Sequence, residues 1–186
     1  DCDNVSAKHI GAVLEELATY GTPTVKRAYG DWTTTQLVGW KPELHRNAIQ
    51  PVQQFAYTTG KNSTDSALII DAMDLLWQGN VEAFALVSSD SDFTRLATRL
   101  RESGMTVYGL GAKKTPKAFR DACDQFVYLE NLGDKSYRRI LAKLFSGKYK
   151  ALEVLKLKDV VESLEQAIDA LESVANTVEQ IAVKES

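Results

Sequence analysis

Short runs of strand-forming residues alternate with segments of helical period from Val5 to Tyr128, and this alternation restricts the fold more than any other feature of the chain. Val5 to Tyr20 repeats apolar residues through Ile10, Val13, Leu14, Leu17 and Ala18, and Gly21-Thr22-Pro23 ends the helix. Thr24 to Tyr29, Ile49 to Tyr57, Ala83 to Val87, Thr106 to Leu110 and Gln125 to Tyr128 read as strands. Between them, helices are predicted over Trp32 to Trp40, broken before Pro42, and over Thr64 to Gln78, Phe93 to Ser103 and Pro116 to Cys123. The uninterrupted apolar run Ala83 to Val87 predicts a strand covered on both faces. Strand followed by helix, repeated, predicts right-handed crossovers and an α/β domain over residues 1–132, a parallel sheet layered by helices. In such a sheet, ligands bind at the edge where the strands end.

Beyond Gly133 only helices are predicted, about Lys135 to Phe145 and Leu157 to Ala175, so 133–186 reads as a helical appendage. Charge divides along similar lines. Residues 1–132 carry 13 Lys+Arg against 16 Asp+Glu, residues 133–158 carry 8 against 2, and residues 159–186 carry 1 against 7. A surface that is basic throughout is excluded, so any contact with nucleic acid must be local or cation-mediated. Lys135, Arg138, Arg139, Lys143, Lys148 and Lys150 read as a solvated helix face in preference to a binding patch. With 44% hydrophobic residues the chain is not disordered, and its longest apolar run, five residues, cannot cross a membrane as a helix. Cys2 and Cys123 form no C-x-x-C pair, which removes a disulfide framework and a thiolate zinc site and suits a cytoplasmic compartment.

The acidic residues that precede or follow predicted elements fall on one edge. Asp1-Cys2-Asp3-Asn4 precedes the first helix, Asp65 opens the helix after Ile49 to Tyr57, and Asp90-Ser91-Asp92 follows Ala83 to Val87. Taken singly, Asp3, Asn4 and Asp92 read as helix caps. Together, four or five converging carboxylates could not all stay ionised without compensation, which a divalent cation supplies. Oxygen donors select Mg²⁺ or Mn²⁺, and such a site can bind phosphate oxygens and activate water, which points to phosphodiester hydrolysis. Lys61 is placed to reach a phosphate, although a lone loop lysine is more often solvated, and Ser88 or the start of the helix after Asp92 could hold another. Asp71 lies about 120° around its helix from Asp65 and stays undecided, while Asp74 reads as surface. His9 and His45 lie away from these loops without a Ser or Cys partner, which disfavours covalent catalysis. Trp32, Trp40 and Trp77 read as packing residues.

At these residues the chain resembles the NYN family, a branch of the PIN-like nucleases, and within it the bacterial LabA-like group. The motifs are Asp1-Cys2-Asp3-Asn4, Lys61-Asn62-Ser63-Thr64-Asp65 followed by Ala67 to Ala72, and Val87-Ser88-Ser89-Asp90-Ser91-Asp92-Phe93, spanning roughly residues 1–130. The resemblance implies a three-layer PIN-like (Rossmannoid) domain with a strand running into Asp1 from residues ahead of it. It implies Asp1, Asp65, Asp90 and Asp92 as the metal-binding and catalytic set, Asn4 orienting the first loop, Ser88 beside the metal, and Asp71 as a candidate accessory acid. Ser89 stands where relatives often carry glycine. The expected activity is a metal-dependent endoribonuclease using Mg²⁺ or Mn²⁺ on single-stranded or structured RNA, with Lys61 assisting phosphate placement. Two rivals share the fold: a non-catalytic regulatory module that holds RNA or a protein, and a flavodoxin-like or receiver-like domain with an acidic phosphoacceptor pocket. Many relatives carry a C-terminal LOTUS-type RNA-binding module, and Leu157 to Ala175 could open one; the plainer reading packs that helix on the domain or on a second copy as a homodimer contact.

Overall fold

The computed structural model describes residues 1–55 and 63–133, and helical residues at 156–160, 162–164, 166–167, 170–171 and 174. The chain divides into two compact units, Asp1–Asp134 and Lys135–Ser186. Among the described residues of the first unit five strands, β1 (Arg27–Gly30), β2 (Gln50–Gln53), β3 (Ala83–Val87), β4 (Thr106–Gly111) and β5 (Gln125–Tyr128), alternate with α1 (Ile10–Leu17), α2 (Trp40–Arg46), α3 (Ser63–Gln78), α4 (Thr94–Glu102) and α5 (Lys117–Ala122). Among the described residues every strand pairing is parallel, in the orders β1-β2 and β3-β4-β5. One apolar cluster joins Ile10 and Val13 of α1 to Trp40 and Leu44 of α2, and a second joins Leu68, Leu96, Leu100 and Phe119 of α3, α4 and α5 to Phe84 and Leu86 of β3. Helices thus cover both faces, the arrangement of a three-layer α/β domain.

Between β1 and β3 lies a gap of about 560 Å³, bordered by Ala28, Ala85 and Val87 and by Val13, Leu14 and Leu68 of the helices. At its upper end the chain bridges the two half-sheets: the Cys2 N–H donates to Tyr29 O at 3.0 Å, and the Asp1 nitrogen lies 3.3 Å from Val87 O. A parallel strand running into Asp1 would follow this gap.

Three expectations need correction. The second helix was expected over Trp32 to Trp40 but begins at Trp40, with only a short 3-10 turn at Thr35–Leu37 before it. Pro42 sits in its first turn, where the backbone N–H has no helical acceptor and proline costs nothing. The strand expected over Ile49 to Tyr57 ends at Gln53 within the described residues, and 56–57 lie outside them; Pro51 is accepted because β2 is an edge strand. In β3 Phe84 and Leu86 are buried against the second cluster and Val87 packs against the first, while Ala83 and Ala85 are exposed toward the gap between β1 and β3, so the cover expected on both faces is incomplete along the strand. The helix expected over Lys135 to Phe145 lies outside the described residues. Of the helix expected over Leu157 to Ala175, the described Leu157, Val160, Leu164, Leu171 and Val174 are exposed. Among the described residues no helix is long and apolar enough to cross a membrane.

Candidate metal centre

The loop after β3 is built outward from Ser88. Its N–H continues the parallel ladder onto Leu110 O at 3.0 Å, which turns the side chain inward, where it is only 1% exposed. The Ser88 hydroxyl donates to the Asp1 carboxylate and accepts from the Asp90 N–H at 3.1 Å. Asp90 then caps the 3-10 turn Ser91–Phe93, accepting from the Asp92 N–H at 2.9 Å, and fully buried Phe93 anchors that turn in the core. A short polar residue followed by alternating acids therefore has a local cause: the first acid holds the turn that presents the second.

Asp65 arrives from the first turn of α3 and is 9% exposed. One carboxylate oxygen from each of Asp65, Asp90 and Asp92 lies within 4.8 Å of the other two. Burial pushes the Asp65 carboxyl above its ordinary range, and the charges of Asp90, Asp92 and Asp3 push it further. The donor set is hard oxygen with crowded negative charge, so these residues are compatible with a divalent cation.

Asp1 stands beside this trio instead of within it. Its carboxylate accepts from Ser88, from Asn4 Nδ2 at 2.8 Å and from the Asp3 N–H at 3.2 Å, so three donors already offset its charge. Asn4 thus orients the first loop by holding Asp1. Asp71 lies elsewhere: it pairs with Arg27 and accepts from the Tyr29 hydroxyl, tying α3 to β1. The Arg27–Asp71 hydrogen bond raises the Arg27 pKa, and burial followed by the Asp71 bond raises that of Tyr29. Asp74 is exposed, and Lys61 lies outside the described residues. The buried Cys2 thiol is pushed up to about 11 by desolvation, which keeps it unreactive. Asp3, counted among the converging acids of the sequence but left out of its metal-binding set, enters the site electrostatically through Asp65. The acidic pattern Asp1-Cys2-Asp3 was its signal, but an acid ahead of a helix reads first as a cap.

Comparison with known proteins places the chain. The NYN domain family model matches residues 1–130. The UPF0111 protein YkaA of Bacillus subtilis is 25% identical over 145 residues, covering 76% of this chain and 69% of that protein. A crystal structure of a protein of unknown function from Vibrio parahaemolyticus matches with a TM-score of 0.55 at 18% identity, over 65% of this chain and 78% of that one, a likeness of fold.

Proposed function

Because the chain belongs to the NYN domain family, a branch of the PIN-like nucleases, we propose that it hydrolyses RNA phosphodiesters with Mg²⁺ or Mn²⁺ held by Asp65, Asp90 and Asp92. The observation that carries this reading is the meeting of three carboxylates from two separate elements within 4.8 Å of one another. A bound dication would supply Lewis-acid polarisation of a phosphate oxygen and lower the pKa of water, the two demands of phosphodiester hydrolysis. The chain's own residues do the positioning. Ser88 fixes the Asp90 backbone, Asp90 fixes the turn carrying Asp92, and α3 delivers Asp65 from the other side. Asp1 and Asn4 brace the floor of the site, and Lys61 is assigned to phosphate placement.

The test is Asp90→Asn, which keeps a capping oxygen for the turn while removing the charge. Cleavage of single-stranded RNA should fall by roughly 10²–10³, the scale of losing one preorganised electrostatic element. An unchanged rate, in a preparation free of contaminating nuclease, overturns the reading. One observation favours the regulatory rival: the Asp1 charge is already balanced by three donors, leaving three carboxylates and not four for an ion. Incubation with RNA in Mn²⁺ and then in EDTA separates the two, since retention without turnover supports the rival. The cytoplasm and self-association through the C-terminal helices remain part of the same proposal.

A further inference from the structure

We propose that the loop between β4 and α5 is a second RNA-binding element, in which Lys113 and Lys114 take backbone phosphates of a single strand flanking the bond at Asp65, Asp90 and Asp92. This rests on the ribonuclease reading for the identity of the ligand. Its position comes from the sheet. Ser88 N–H meets Leu110 O, and Gly111 lies so close that a Cβ there would stand 2.5 Å from Ser88 O and 2.7 Å from Thr115 Oγ1. Only glycine lets the end of β4 press against the residue that begins the acidic loop. The Ala112 N–H then donates to Ser89 Oγ at 2.9 Å, linking the residue before Lys113 to the residue before Asp90.

The loop backbone is held on every side. Thr115, buried, donates to Ala112 O through its hydroxyl at 2.6 Å and its N–H at 3.0 Å, and the Lys113 N–H donates to both carboxylate oxygens of Glu130 at 2.9 and 3.1 Å. Against that fixed frame, the Lys113 and Lys114 side chains are exposed. Arg27, Arg46, Arg99, Arg101 and Lys117 each pair with a carboxylate, whereas among the described residues neither Lys113 nor Lys114 does. Two ammonium groups without a carboxylate partner among the described residues therefore stand on a preordered loop that one hydrogen bond ties to the acidic loop, whose charge would otherwise repel a polyanion. Lysine binds phosphate as a point charge and reads no base. None of the three tryptophans offers a stacking platform there: Trp40 is buried, Trp32 is bonded to Val52 O, and Trp77 is at the far end of α3. The binding should be independent of sequence and dependent on salt.

The experiment measures anisotropy of a short fluorescent single-stranded RNA with the full chain in EDTA over a salt series, so that turnover plays no part. For Lys113→Gln/Lys114→Gln, the slope of log K against log salt should shrink by about 1.4, two contacts at roughly 0.7 each. Ser89→Ala, which frees the loop but keeps both lysines, should weaken binding by less. Arg46→Gln/Arg99→Gln, at the opposite edge, should leave the slope unchanged. An unchanged slope in the lysine variant, binding lost only when the cations of residues 133–158 are replaced, or no measurable binding at all overturns the proposal. Equal binding of the matching duplex overturns the single-strand assignment. Binding that depends on the lysines in a chain that never cleaves RNA upholds the loop and sinks the ribonuclease reading.

Discussion

Asp65 and Asp71 project from the same helix six residues apart, yet their surroundings are opposite. Asp65 is buried at the rim against Asp90 and Asp92, and its carboxyl is pushed upward by desolvation and like charge. Asp71 faces Arg27 and Tyr29 on β1, a cation and a donor that compensate it fully. The second acid seats the helix, and the first accepts an unfavourable environment that the seated helix imposes. Stability concentrated at one turn thus holds electrostatic strain at another, as expected where a fold supports a binding site.

Exchanging each acid for its amide tests this contrast. Asp65→Asn should reduce RNA cleavage by roughly 10²–10³ and abolish thermal stabilisation by Mn²⁺, which for an ion at a hundred times its Kd amounts to about 2.7 kcal/mol. If Mn²⁺ still raises the Tm of that variant, the ion binds elsewhere. Asp71→Asn should instead destabilise by about 1.5–3 kcal/mol, the scale of a hydrogen bond to a charged group, while its response to Mn²⁺ persists. Urea unfolding with and without Mn²⁺ reads both effects, and a variant that loses its Mn²⁺ response would merge two roles that the geometry separates. Ser88→Ala should cost about 1–3 kcal/mol, because the half-buried Asp90 N–H loses its acceptor and Asp1 loses a donor.

The smallest effect carries the sharpest sign. For Asp65 the stability gained from a raised pKa is fully present below its ordinary value of 3.8 and is lost as pH rises through the higher folded value. In EDTA at neutral pH, Asp65→Asn should therefore melt above the parent, by about 2–4 °C for each kcal/mol of repulsion relieved. The two melting curves should converge as the pH approaches 3.8. A parent that melts higher throughout would mean the cluster is not under strain.

Much of this was legible in the residues because local rules decide it. Helical period located α3 and placed Asp65 in its first turn, and a short apolar run between turn residues located β3. What escaped depends on contacts between distant segments. Nothing local announces that Asp71 will meet Arg27 across 44 residues, or that Ser88 will reach Asp1 across 87. Pro42 reads as the stop after a helix ending at Trp40, whereas the helix begins at Trp40 and holds the proline in its first turn, where its missing N–H has no helical acceptor to lose. The uniform hydrophobicity of β3 concealed that one of its sides borders a gap.

That gap has a consequence for the strand expected to run into Asp1. An extended segment laid parallel between β1 and β3 would gain two ladders at once, whereas one added outside β2 or β5 would gain a single ladder. A strand that fills the gap would lie at the centre of the sheet with a neighbour on each side, and the apolar walls favour small and branched residues along it over charged ones.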